Sequence, residues 1–331
     1  MEGSVLFLGG TGTISWWCVQ AAQRAGWSVS VVGRGLSRMR PSPDGIEWIK
    51  ADVTDSESLT SALAGRRFDV VADFLSFDVP RLRRNTELLG DRISQYIFIS
   101  SASAYQKPVT SLPITESTPL VNPFWRYARD KIACEDYLTG LVRRDGFPAT
   151  IVRPSHTYDA ALSVTLGGWT DVVRLRQGQP VVVHGDGTSL WTLTHASDFA
   201  YCFVPLFGDR RAIGNTFHIT GDEVLPWDAI YSELAAAAGA GPPQLVHVAS
   251  ATIGLALPEA LDGLVGDKAH SVIFDNSKVR SIATGFAQKV PWRVGAAQYV
   301  SFHDSHPQWA VSSPAVDTAF DRLVAWARSS A

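Results

Sequence analysis

The chain has 331 residues, 46% of them hydrophobic and 18% charged, which excludes disorder and supplies enough apolar surface for a large core. Twenty-nine Lys and Arg against 32 Asp and Glu leave a net charge of −3, a balance that argues against nucleic acid held through phosphate contacts. No apolar run reaches bilayer length, the start Met1-Glu2-Gly3-Ser4-Val5 lacks the basic opening of a signal peptide, and Cys18, Cys134 and Cys202 lack metal-ligand spacing, so a cytoplasmic protein with reduced thiols and neither membrane nor metal site is expected.

Taken in chain order, short apolar runs alternate with helix-length amphipathic stretches. Val5–Leu8, Val29–Val32, Ile46–Ile49, Val70–Ala72, Tyr96–Ile99 and Thr150–Val152 read as strands. Trp16–Ala25, Ser56–Leu63, Val79–Gly90 and Trp125–Arg144 read as the helices between them. Strands that alternate with helices form parallel βαβ units, and right-handed crossovers give an α/β fold with a doubly wound parallel sheet. After about residue 155 the pattern loosens, with loops at Gly178–Pro180 and Gly239–Pro243, a strand at Asn215–Thr220 and a surface helix at Trp227–Ala238. The expected division is residues 1–155 as the sheet domain and 156–331 mainly as a smaller C-terminal substrate lobe, with 190–220 returning to the sheet domain.

The first strand runs into Gly9-Gly10-Thr11-Gly12-Thr13-Ile14-Ser15 and then a helix. A tight glycine turn before a helix N-terminus exposes backbone N–H groups, and the helix dipole favours a pyrophosphate there. The third small residue of the pattern is Ser15 rather than Gly, which is expected to set the helix slightly off the sheet. At the end of the second strand stands Gly33, followed by Arg34, with Arg38 and Arg40 nearby. A carboxylate at that position would repel a ribose 2′-phosphate, whereas Arg pairs with one, so NADP(H) is favoured over NAD(H). Asp52, after the third strand, is placed either at the adenine edge or as a turn cap.

The fifth strand ends in Ser100-Ser101-Ala102-Ser103, and Tyr127 and Lys131 stand four residues apart, on one helix face. A nearby ammonium is expected to lower the Tyr pKa toward neutrality, and the Ser101 hydroxyl to hold the substrate oxygen. That apparatus moves a hydride between a carbinol carbon and a nicotinamide.

Together, Gly9-x-x-Gly12, the Ser101 segment and Tyr127-x-x-x-Lys131 resemble the extended short-chain dehydrogenase/reductases of the NAD-dependent epimerase/dehydratase type. Within that group, Ser100–Gln106, Asn122–Glu135 and Arg153–Asp159 are similar to a less typical branch, which includes the plant chloroplast stem-loop-binding proteins. The resemblance implies a Rossmann-like dinucleotide domain and a small-molecule substrate. It implies that Ser101 polarises the substrate oxygen, Tyr127 is the acid/base and Lys131 contacts the nicotinamide ribose. It places Pro154 and Ser155 beside the nicotinamide, Ser103 in the substrate site, and His156 either at the substrate or in a structural hydrogen bond. Related enzymes pair through two long helices, here Val79–Gly90 and Trp125–Arg144, so a homodimer is a candidate assembly.

Two departures bear on the substrate. Where the nucleotide-sugar enzymes carry a diphosphate-gripping Arg, this chain has Trp191, which either stacks on a substrate ring or packs between the lobes. Where sugar 4,6-dehydratases carry an Asp-Glu pair, it has Ala102 and Ser103, leaving Glu116, His156 or Asp159 as candidate bases. The expected substrate is a polyol or nucleoside rather than a nucleotide-diphosphate sugar. The preferred reaction is epimerisation or dehydration through a transient ketone. The alternatives are an NADPH ketoreductase of secondary metabolism and, from another class, an RNA-binding protein on the same fold.

Overall fold

The computed structural model describes residues 3–35, 39–41 and 43–330; Arg38 lies outside the described residues. Seven parallel strands form the central sheet: β1 (Ser4–Leu8), β2 (Ser28–Gly33), β3 (Glu47–Lys50), β4 (Phe68–Asp73), β5 (Ile93–Ile99), β6 (Ala149–Pro154) and, later in the chain, Thr216–Ile219. Their spatial order is Thr216–Ile219, β6, β5, β4, β1, β2, β3. The order reverses direction between β1 and β4, where the crossovers switch faces and leave a crevice at the carboxyl ends.

The inner strands are apolar on both sides because helices cover both faces, while the edge strand β3 buries only Ile49. On one face Val5 and Phe7 pack with Cys18, Val19 and Ala22 of α1 (Thr13–Arg24) and with Phe199 and Phe203. On the other, Leu6 and Leu8 pack with Leu59 of α2 (Ser56–Ala62), Leu82 of α3 (Val79–Leu89) and Leu138 of α4 (Arg126–Asp145). All three cysteines are free and buried. Helix α1 begins three residues before the apolar pattern does. Gly12 is its extended N-cap, and the Gly12 N–H donates to Ser15 Oγ at 3.0 Å. Ser15 is thus the residue that caps the helix, and its size does no harm.

After β6 the chain runs through β7 (His156–Tyr158), α5 (Trp169–Arg176), β8 (Val181–His184), β9 (Leu190–His195), α6 (Ala196–Phe203), β10 (Thr216–Ile219), β11 (Val224–Pro226), α7 (Trp227–Ala237) and β12 (Leu245–Val248). Of these, β10 belongs to the central sheet and α6 packs on α1. Strands β7, β9 and β11 form a small sheet, and β8 pairs with β12. The expected surface helix is α7, and its inner stripe of Trp227, Ile230, Tyr231 and Leu234 is core of the lobe. Helices α8 (Ser250–Ala256), α9 (Pro258–Gly263), α10 (Ser277–Arg280), α11 (Trp292–Ser305) and α12 (Pro314–Ser330) complete the chain, with a π-helical turn at Leu264–Lys268. No helix among the described residues is long and apolar enough to cross a membrane.

One buried ion pair fixes α4 to the sheet edge. Arg153 at the end of β6 donates two nitrogens to Glu135 of α4, Nη2 at 2.5 Å, and Ser100 Oγ donates to the same carboxylate at 2.5 Å. Both charged side chains are nearly sealed from solvent. Removing one partner of such a pair strands the other charge in low dielectric. Glu135→Ala is therefore expected to lower unfolding free energy by about 3–5 kcal/mol in denaturant titration. A loss below ~1 kcal/mol would show that the pair does not hold the helix.

Candidate active site

The carboxyl ends of β1 to β6 open on one cavity of about 830 Å³. Its floor is the turn from Gly9 to Ser15. Gly9 has φ +84°, and a Cβ there would stand 2.8 Å from Leu75; a Cβ on Gly10 would stand 2.5 Å from Val31. The turn is therefore built for glycine, and the N–H groups of the first helical turn, Thr13 and Ile14 among them, have no intrahelical acceptor. Gly9, Gly10, Thr11, Gly12, Thr13 and Ile14 all line the cavity, as do Arg34 and Asp52.

Asp52 does act as the turn cap: its Oδ1 accepts from the N–H and hydroxyl of Thr54 at 2.8 and 2.7 Å. Those bonds hold its carboxyl below the usual range, with Arg34 and Arg81 adding to the effect. Arg81 is thus a second cation at this end that the sequence did not flag, and Trp48 forms the wall under Gly33 and Gly35. Arg40, expected near a phosphate, is committed elsewhere. It forks onto Asp159 at 2.7 and 2.9 Å and donates to Thr13 Oγ1 at 3.1 Å. The same pair removes Asp159 from the candidate bases, and Glu116 lines neither this cavity nor its neighbour.

A second cavity of about 270 Å³ adjoins the first and shares Ser101, Tyr127, Pro154, Ser155 and Thr157 with it. Ser101 caps a short 3₁₀ turn, and its Oγ sits 2.8 Å from Ser103 Oγ. Asn122 donates to the carbonyls of Ser103 and Gly266, both at 2.8 Å, and its Oδ1 accepts from the N–H groups of Phe124 and Trp125. That one amide aligns the Ser101 turn with the start of α4, where Tyr127 sits.

Lys131 corrects the expectation made for it. Its Nζ donates to the carbonyls of Ser76 and Ile99 at 2.8 and 2.7 Å and lies 4.7 Å from the ring centroids of Phe77 and Phe98. Burial pulls its pKa down to about 8, with Asp73 partly offsetting this. It does not lower the Tyr127 pKa. Burial raises that hydroxyl above its ordinary value, against the pull of Ser101, and the Asp267 charge raises it further. Tyr127 is a phenol, ready to give a proton.

Ser155 Oγ lies 2.7 Å from Thr194 Oγ1, which fixes the loop after Pro154. Trp191 is buried, 2% exposed, and its Nε1 donates to His156 Nδ1 at 2.9 Å. Burial, with the Lys268 charge beside it, keeps the imidazole neutral. Both residues line the second cavity, together with Asp267, Lys268 and Phe274, none of which stands in a local motif. Among the described residues no cluster of His, Cys, Asp and Glu could hold a metal.

The sequence profile of the NAD dependent epimerase/dehydratase family matches residues 5–219. The chain is 28% identical over 243 residues, 71% of its length, to 2′-dehydrokanamycin reductase of Streptomyces kanamyceticus. It is 28% identical over 258 residues, 74% of its length, to the chloroplast stem-loop binding protein of 41 kDa b of Arabidopsis thaliana. It spans 66% of the length of each of these two relatives. Its fold is similar to that of the epimerase Mth375 from Methanothermobacter thermautotrophicus, with a TM-score of 0.74 at 16% identity over 93% of this chain and 94% of that one.

The glycine turn yields a direct test. Gly9→Ala is expected to weaken dinucleotide binding by about tenfold or more, because the new methyl meets Leu75 in a backbone conformation unsuited to L residues. Unchanged affinity by fluorescence titration would remove the turn from the binding site.

Proposed function

The chain belongs to the NAD dependent epimerase/dehydratase family of dinucleotide-dependent enzymes, and from that premise we propose that it is an NADP(H)-dependent oxidoreductase reducing a ketone on a small hydroxylated ring. The substrate class is a polyol or nucleoside rather than a nucleotide-diphosphate sugar. The observation that carries this reading is the shared wall: Ser101 and Tyr127 border both cavities, with Lys131 beneath the larger one.

The residues present suit the dinucleotide. The Gly9–Gly12 cradle admits a pyrophosphate where a Cβ would not fit, Arg34 answers a 2′-phosphate, and Pro154 and Ser155 wall the nicotinamide end. When bound, the dinucleotide supplies or accepts the hydride. The chain does the rest. Ser101, held by Ser103, donates to the substrate oxygen. Tyr127 gives that oxygen its proton. Lys131 holds the strand ends in place through the carbonyls of Ser76 and Ile99, and Ser101 is the group that favours the phenolate left behind.

Net reduction is preferred to dehydration because, among the described residues, the second cavity offers no carboxylate clear of a cation: Ala102 and Ser103 stand where a dehydratase acid pair would, and Asp267 Oδ1 lies 3.1 Å from Lys107 Nζ. Purified protein given NADPH and a panel of hydroxylated cyclic ketones is expected to consume NADPH one-for-one with alcohol formed. Turnover without net consumption, by protein that retains its dinucleotide through purification, would establish the transient-ketone route instead.

Tyr127→Phe is expected to cut turnover by roughly 10²–10⁴-fold while leaving NADPH affinity within about a factor of two. Near-normal turnover would sink the acid/base assignment. Arg34→Ala is expected to weaken NADP⁺ binding by about 10- to 100-fold and to leave NAD⁺ binding nearly unchanged. A wild-type protein that binds NAD⁺ more tightly than NADP⁺ would overturn the cofactor preference.

A further inference from the structure

The far wall of the second cavity carries an ammonium with no hydrogen-bond acceptor among the described residues. Lys268 closes the π-helical turn Leu264–Lys268, a local distortion that recurs at functional sites. Its backbone is pinned, because its carbonyl accepts from His184 Nε2 at 3.0 Å and from Ser189 Oγ at 3.3 Å. Its side chain lines the cavity, and among the described residues no acceptor lies within hydrogen-bond reach of its Nζ. Its surroundings hold this half-buried ammonium below the ordinary lysine value, with the Asp267 charge partly offsetting the effect.

The neighbouring charges do not cancel it. Asp267 lies next in the chain, and Lys107, whose side chain is fully buried, lies 3.1 Å from its Oδ1. Two cations and one carboxylate therefore leave one positive charge at this wall. Lys268 has a neutral companion in His156. Trp191 Nε1–H occupies His156 Nδ1, which puts the imidazole proton on Nε2. The cavity thus presents two donors, Lys268 Nζ and His156 Nε2–H, with the rings of Trp191, Trp125 and Phe274 around them.

We propose that this wall is a subsite for a carboxylate on the substrate ring, held by Lys268 with His156 Nε2–H as the second donor. The inference rests on the reading of this chamber as the substrate site and narrows it: the hydroxylated ring is a ring acid. The 270 Å³ chamber suits one substituted ring. Trp191 is a positioning residue, because it acts on the substrate only by fixing the tautomer of His156.

The test is equilibrium binding by calorimetry to protein saturated with NADP⁺, using matched acids and amides: D-glucuronate and D-glucuronamide, D-galacturonate and D-galacturonamide, benzoate and benzamide. The wild type is expected to bind the acid of at least one pair about tenfold more tightly than its amide. Lys268→Met is expected to abolish that preference and to keep NADP⁺ affinity. If Lys268→Met does not fold, Lys268→Gln takes its place. On the wild type itself, the preferred acid is expected to slow acylation of Lys268, followed by peptide mass spectrometry, where its amide does not. Absence of any acid preference in the wild type overturns the proposal, as does a preference that survives in either variant or leaves acylation of Lys268 unprotected. Tyr127→Phe is expected to retain the preference, so failure of the redox reading and failure of this subsite remain separate results.

Discussion

The buried ammonium of Lys131, donating to the carbonyls of Ser76 and Ile99, is the constraint on which the rest of the site depends. Those two oxygens lie in the loop after β4 and at the last residue of β5. A cation in low dielectric is tolerated only where it is solvated by fixed dipoles, so the helix that carries it is drawn onto the sheet edge at one register. One helical turn earlier, the same helix then presents Tyr127 at the mouth of both cavities. Ser76 is itself fixed, because Asp73 accepts from its N–H and its hydroxyl and also from Asn85 and Tyr96. A network of buried polar groups thus places the one phenol on which the proposed chemistry turns.

Both cavities keep a cation to spare, and which one it is follows from the ions already paired. At one end Arg34 and Arg81 face Asp52, whose Oδ1 is taken by Thr54. At the other, the Lys107–Asp267 pair leaves Lys268 over. Arg40 and Asp159 cancel each other outside both chambers. Cations that remain unanswered at both ends suit a dinucleotide phosphate on one side and an acidic ring on the other.

Much of this was legible in the sequence because it is local. The short apolar strand runs, the glycine turn before α1 and the four-residue spacing of Tyr127 and Lys131 each depend on neighbours within one or two turns. The order of strand and helix also gave the doubly wound sheet that places the site. What was not legible depends on contacts between distant residues. Spacing put Lys131 beside Tyr127 but could not show that two carbonyls, 55 and 32 positions away, would claim its protons. Arg40 read as a phosphate ligand until Asp159, 119 positions on, proved to be its partner. Trp191 read either as a ring to stack on a substrate or as packing between the lobes, and neither reading showed its bond to His156, 35 positions before it. Lys268 sits in a segment with no motif, so only the fold could reveal that it faces the chamber.

A crystal structure of the protein with NADP⁺ bound tests the central claim most directly. The account predicts the 2′-phosphate beside Arg34 and the nicotinamide against Pro154 and Ser155, with its reactive edge turned to the second cavity beside the Tyr127 hydroxyl. A dinucleotide bound elsewhere, or a nicotinamide turned away from that hydroxyl, would contradict it.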